Sequence, residues 1–161
     1  MNRKLLIAAL SGALLFAQNA LAIDTPKGWK ATTASDGTVY TPTDAKENSV
    51  SLVISPPLPD EGKTAAQLLE KASQGITEGE GVKIVKRGKV TQKGKRAETV
   101  IEVEIAGSPV RVTYAAYPLG KGNMRALIVF MESDAQTLKR YEKAANDIID
   151  AQYAEDTAGK K

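Results

Sequence analysis

The stretch VKIVKRGKVTQKGKRAETVIEVEI, residues 82–105, decides the fold. A two-residue hairpin turn at Lys93-Gly94 sets Ile84 opposite Val103 and Val82 opposite Ile105 on one face, with Lys83 opposite Glu104 and Lys89 opposite Glu98 on the other. One register that matches apolar with apolar and acid with base predicts an antiparallel pair with one face toward a core. The next loop, Ala106-Gly107-Ser108-Pro109, extends the pattern by placing Ile105 with Val110, Val103 with Val112 and Ile101 with Tyr114, and Glu104 with Arg111. Pro109 cannot donate the bond that a tight Gly-Ser turn would use, so a four-residue loop is expected.

Beyond it, Gly120-Lys121-Gly122-Asn123 reads as another hairpin turn. It is not a phosphate loop, because no G-K-[ST] follows and a strand rather than a helix comes next. The run Ala126-Leu127-Ile128-Val129-Phe130-Met131 is apolar at every position, the signature of an interior strand covered on both faces. Upstream, Trp29–Thr33 and Thr38–Thr41 flank Asp36-Gly37 as two strands of a hairpin, and Val50–Ile54 is a third strand that Pro56, Pro57 and Pro59 stop.

Two helices complete the pattern. Thr64 and Gln67 form a capping box ahead of the stripe Ala65, Leu68, Leu69, Ala72 and Ile76, and the glycines Gly75, Gly79 and Gly81 end the helix. Ser133 and Gln136 form a second box ahead of Leu138, Tyr141, Ala145, Ile148, Ile149 and Gln152. The order βββ-α-ββββ-α predicts an α+β domain, an antiparallel sheet of about seven strands with helices packed on it, over residues 23–154. The small, charged residues 155–161 read as a disordered tail.

Residues 1–22 read separately, as a secretory signal peptide. Met1-Asn2-Arg3-Lys4 is a positive start, Leu5–Phe16 an apolar segment, and Ala20-Leu21-Ala22 a small-x-small cleavage site. The apolar run is too short for a membrane span, and no cysteine exists to carry a lipid. Cleavage after Ala22 removes two bases and no acid, leaving 20 basic against 19 acidic side chains and a net charge of +1. Such a balance gives no field for nucleic acid. The expected location is the periplasm or the outside medium.

The 161 residues contain neither cysteine nor histidine, which excludes disulfides, thiolate chemistry, Ser/His/Asp catalysis and Cys/His zinc sites. Neither S-x-x-K nor G-x-S-x-G occurs. Asp44, Glu47, Asp60 and Glu61 lie in expected loops but lack the spacing of a calcium-binding loop. Trp29, Tyr40, Tyr114 and Tyr141 fall on expected elements, as core residues do. The basic run Lys83, Lys86, Arg87, Lys89, Lys93, Lys95 and Arg96 reads as a solvated hairpin neutralised by Glu98, Glu102 and Glu104. Its turn end, Lys93, Lys95 and Arg96, has no partner in this register and is the candidate partner-docking site.

The motifs Pro26-x-Gly28-Trp29, Gly37-x-x-Tyr40-x-Pro42 and Val50–Ile54 ending at Pro56, followed by a helix, resemble the opening of the PsbP-like and DcrB-like α/β/α sandwich proteins. The resemblance implies an extracytoplasmic or lumenal accessory protein that binds other proteins, with no common catalytic site and no cofactor. This chain departs from the lipoprotein members in having no lipobox cysteine. The functional expectation is a secreted or periplasmic non-enzymatic binding protein whose partner is another envelope or secreted protein. Two alternatives stand beside it: a small hydrolase or lyase working with paired carboxylates, and an enzyme inhibitor or immunity protein.

Overall fold

A computed structural model describes residues 23–34, 36–46, 49–76 and 81–158. The signal-peptide reading of residues 1–22, the candidate ligand Glu47 and the glycine Gly79 lie outside the described residues. In chain order the elements are β1 (Trp29–Ala34), β2 (Gly37–Pro42), β3 (Val50–Ile54), β4 (Leu58–Pro59), α1 (Ala65–Gly75), β5 (Val82–Arg87), β6 (Thr91–Lys93), β7 (Arg96–Ile105), β8 (Ser108–Gly120), β9 (Asn123–Glu132) and α2 (Ala135–Ala158). The strands form one antiparallel sheet in the order β1-β2-β3-β9-β8-β7-β5, with β4 on β9 and β6 on β7. The fold is α+β. Among the described residues there are nine strands rather than about seven, because the chain beyond Pro57 still pairs Leu58 with Met124, and a break divides the expected strand after Val82 into β5 and β6.

The last strand sits in the middle. β9 pairs with β3 on one side and with β8 on the other, and its two faces feed two different cores. Leu127, Val129 and Met131 join Trp29, Tyr40, Leu52 and Ile54 under Tyr141, Ala145, Ile148 and Ile149 of α2. Ile128 and Phe130 border the other core, where Ala65, Leu69 and Ile76 of α1 and its C-terminal end meet Ile101, Val103, Val112 and Tyr114. Its unbroken apolar run is therefore that of an interior strand. The four aromatics Trp29, Tyr40, Tyr114 and Tyr141 are buried.

Three turns depart from their expected places. The hairpin after β6 turns at Gly94-Lys95, because a glycine at positive φ (62°) suits the first position of a type II′ turn. Thr91, not Lys89, therefore faces Glu98. Two additional residues on the β5–β6 side, one in the 88–90 break and one at the Val85 bulge, bring the register back. Ile84 faces Val103 and Lys83 faces Glu104 as expected, although the turn is elsewhere. Gly88 permits the break: a Cβ there would lie 2.5 Å from the Val100 carbonyl oxygen.

The next turn is Ala106-Gly107, both at positive φ (49° and 80°), a two-residue loop in place of the expected four. Pro109 falls beyond it, opposite Glu104, at a pair where the ladder to β7 asks for no N–H. The register moves by two residues, so Ile105 faces Ser108, Val103 faces Val110, Ile101 faces Val112, and Arg111 meets Glu102 rather than Glu104. A shift of two leaves every side chain on its face. In the first hairpin Ala34 pairs with Gly37, one residue earlier than Asp36-Gly37 would turn. A Cβ on Gly37 would lie 2.2 Å from the Ile54 carbonyl oxygen, so this glycine serves strand packing.

At the helices, Thr64 and Gln67 form the expected capping box: the Thr64 hydroxyl accepts from Gln67 N (3.2 Å) and the Gln67 side-chain Oε1 accepts from Thr64 N (2.9 Å). α2 is capped differently. Asp134 Oδ1 accepts from Gln136 N (3.0 Å) and Thr137 N (2.9 Å), so Asp134 replaces Ser133 as its N-cap. α2 also runs four residues past the expected boundary, to Ala158. Residues 155–158 are thus helical rather than disordered, and the reason is a buried ion pair at Asp156.

Candidate functional site

Among the described residues each face of the sheet carries one helix, and the two helices cover unequal areas. α2, 24 residues long, packs on β3, β8 and β9, and its far end is fastened by charge. Arg125, on β9, donates through Nη2 and Nε to the two carboxylate oxygens of Asp156 (2.8 and 2.9 Å) and through Nη1 to the Ser55 carbonyl (2.8 Å). The Tyr117 hydroxyl donates to the same carboxylate at 2.8 Å. Burial works against the charge on Asp156, but hydrogen bonds from Arg125 and Tyr117 outweigh it and hold the carboxyl below its usual range. Tyr117 is pushed up, by burial first and by Asp156 second.

α1 has 11 residues and packs on β7 and β8 alone among the broad contacts. Its C-terminal carbonyls are closed by a strand residue: Arg87 of β5 donates to Ser73 O and to Ile76 O. What α1 leaves open follows from the registers. Thr99, Tyr114, Ile128, Val53, Val39 and Thr32 lie directly opposite one another in turn, a single row across β7, β8, β9, β3, β2 and β1. Thr99 and Tyr114 are buried beneath α1, Ile128, Val53 and Val39 are half-buried, and Thr32 is exposed. Phe130, also half-buried, lies beside Ile128 on the same face, opposite Ser51. The open half of this face is therefore a ledge of Val39, Val53, Ile128 and Phe130 on a hydrogen-bonded platform.

The expected docking cluster stays together on one turn but is largely partnered, against the expectation that it has no partner. Arg96 is not free: its Nε lies 2.8 Å from Glu98, its Nη1 2.5 Å from Asp150 on α2, and its guanidinium stands 5.5 Å from the Tyr153 ring. Lys93 approaches Glu98 at 3.7 Å, and Lys95 is exposed. The one-sided register argument missed these contacts because Asp150 and Tyr153 come from a helix about 54 residues away. Of the remaining bases, Lys83 and Lys86 face Glu104 and Glu102, which agrees with a neutralised hairpin.

The loop carboxylates are likewise engaged separately. Asp44 accepts from the Tyr141 hydroxyl (3.0 Å) and from Arg140 (2.5 Å), and both lower its carboxyl from the usual value. Asp60 receives Gly62 N, and Glu61 pairs with Lys63. Among the described residues no three acids gather to hold a metal, and no helix is long and apolar enough to cross a membrane. A cleft of about 30 Å³ between β8 and α2, bordered by Arg111, Thr113, Glu142 and Asn146, has room for water but not for a metabolite.

No known family matches the sequence, and no curated protein does. Among solved structures, the chain aligns with the Ran-binding protein Mog1p of Saccharomyces cerevisiae at 12% identity and a TM-score of 0.44, covering 73% of this chain and 75% of that one. A point mutant of Mog1 gives the same values. A Pseudomonas aeruginosa protein of unknown function, PA94, aligns at 14% identity and a TM-score of 0.39, covering 75% of this chain and 93% of the other.

Proposed function

We propose that this chain is exported, cleaved after Ala22, and acts in the periplasm or beyond as a non-enzymatic binding protein for another envelope or secreted protein. The observation that carries the binding role is the ledge of Val39, Val53, Ile128 and Phe130, apolar side chains left half-uncovered on three adjacent strands. Such a surface suits an apolar segment of a protein partner, since the backbone beneath it is already hydrogen-bonded and pays no ordering cost on contact. The leader-like residues 1–22 support export. The resemblance to PsbP-like and DcrB-like proteins points the same way.

A photo-reactive side chain at Val53 in the producing cell tests the binding surface, with Val85 as the control because it is exposed on the opposite edge of the sheet. A discrete adduct with one envelope protein is expected from position 53 and not from 85, and Val39→Asp should remove it. Equal labelling from both positions would discard the ledge as a contact surface. N-terminal sequencing of the exported protein should start at Ile23, and an intact Met1 in the membrane fraction would overturn the export reading.

A further inference from the structure

The sheet ends on two edge strands, and they are built in opposite ways. β5, at one end, holds Lys83, Lys86 and Arg87 and is broken by the bulge at Val85. Charges and bulges are how proteins stop an edge from accepting another strand. β1, at the other end, has no bulge and far less charge. Its six residues Trp29-Lys30-Ala31-Thr32-Thr33-Ala34 pair with β2 without a register shift, hold a single charge and no proline, and are exposed from Lys30 onward. No other described strand lies against it.

We infer that β1 is a pairing edge for a second copy of this chain, joining two sheets antiparallel about a twofold axis through Thr32. Antiparallel partners must present side chains to the same face, so residues of like parity oppose one another. An axis through Thr32 sets Thr32 against Thr32 of the second copy, Ala31 against Thr33 and Lys30 against Ala34. The two Lys30 side chains do not meet, and facing threonines are a favourable cross-strand pair. The equivalent pairing of β5 about Val85 would set Lys83 against Arg87, two like charges. An axis shifted toward Trp29 is disfavoured because Trp29 N is already spent on the Pro26 carbonyl at 3.0 Å. The twofold stands perpendicular to the sheet, so the open ledges of the two copies lie side by side on one surface. The inference rests on the edge alone and does not need the ledge to bind anything.

The absence of cysteine makes the test direct. Thr32→Cys in protein produced from the full-length sequence puts two thiols on the twofold, at a non-hydrogen-bonded pair whose Cα atoms are about 4.5 Å apart, a distance a disulfide spans. Mild oxidation is expected to convert this variant to a covalent dimer while Val85→Cys stays monomeric. Without oxidant, sedimentation of the unmodified protein should show a concentration-dependent dimer that Thr32→Lys abolishes, with no change in the thermal melt at concentrations where both proteins are monomeric, because the side chain is exposed. A unmodified protein that sediments as a monomer at every concentration, or Val85→Cys crosslinking as fast as Thr32→Cys, would overturn the pairing. Dimers that survive Thr32→Lys would overturn it equally, by placing the contact elsewhere.

Discussion

The two faces of this sheet are covered by helices of very different reach. The α2 face draws its core from Trp29 to Ile149 and is closed at the far end by Arg125 and Asp156. The α1 face is buried over β7 and β8 and then opens, strand by strand, to Thr32. The same alternation of apolar residues underlies both, so what differs is the length of the covering element and the loops that place it. Burial on the first face makes stability, while partial burial on the second leaves surface available for contact.

The largest effect that can test this contrast is a cavity on the sealed face. Leu127→Ala, at a wholly buried site, should cost about 4 kcal/mol, whereas Val53→Ala on the ledge should cost under about 1.5 kcal/mol. Denaturant melts of both variants decide it, and equal costs would mean the ledge is as sealed as the core. Next in size is the ion pair that holds the end of α2. Asp156→Ala strands Arg125 in a buried site and should cost about 3 kcal/mol.

Its pH dependence has a definite sign. A carboxyl held low in the folded state stabilises it above the ordinary unfolded value near pH 4, and the contribution is lost as pH falls through the lower folded value. The difference in Tm between the natural protein and Asp156→Asn should therefore be present at pH 7 and close progressively below about pH 4. A gap that persists undiminished at pH 2 would show that shape rather than charge holds the helix.

On the half-covered face, Ile84→Ala should cost about 2 kcal/mol, because Ile84 is half-buried against the α1 core. Lys83→Ala, on the other side of the same strand, should cost less than about 1 kcal/mol. The smallest effect belongs to the basic turn: Lys93→Glu with Lys95→Glu should move stability by less than about 0.5 kcal/mol and leave the adduct at Val53 intact. Loss of that adduct would return the turn to the contact surface.

Most of the fold was legible because period and capping chemistry are local. The run 126–131 could only be an interior strand, and Thr64 with Gln67 could only begin a helix. Turn positions were less legible, since Ala106 accepts positive φ without being glycine, although the Gly120–Asn123 turn falls where the sequence puts it. The β5–β7 register was reached from a misplaced turn because two additional residues cancelled the error, and no sequence pattern distinguishes that from a regular hairpin. The ledge and the Arg125–Asp156 pair were not legible at all. Each depends on which helix lies above which strand, and the acidic, small residues after 154 resemble a tail until Arg125 is seen facing them.

The central position of β9 also has a consequence for the order of events in folding. Before Asn123–Glu132 is available, β1–β3 and β5–β8 have no hydrogen-bonded contact with each other, because every ladder between the two groups passes through β9. The chain is then two incomplete meanders, each with an unpaired edge, and the last strand to be synthesised must join them over a sequence separation of more than 70 residues (Ile54 to Leu127). Closure of so long a loop makes folding slow. The complete sheet therefore cannot assemble until nearly the whole polypeptide exists, and the two meanders wait for a strand that arrives late in synthesis.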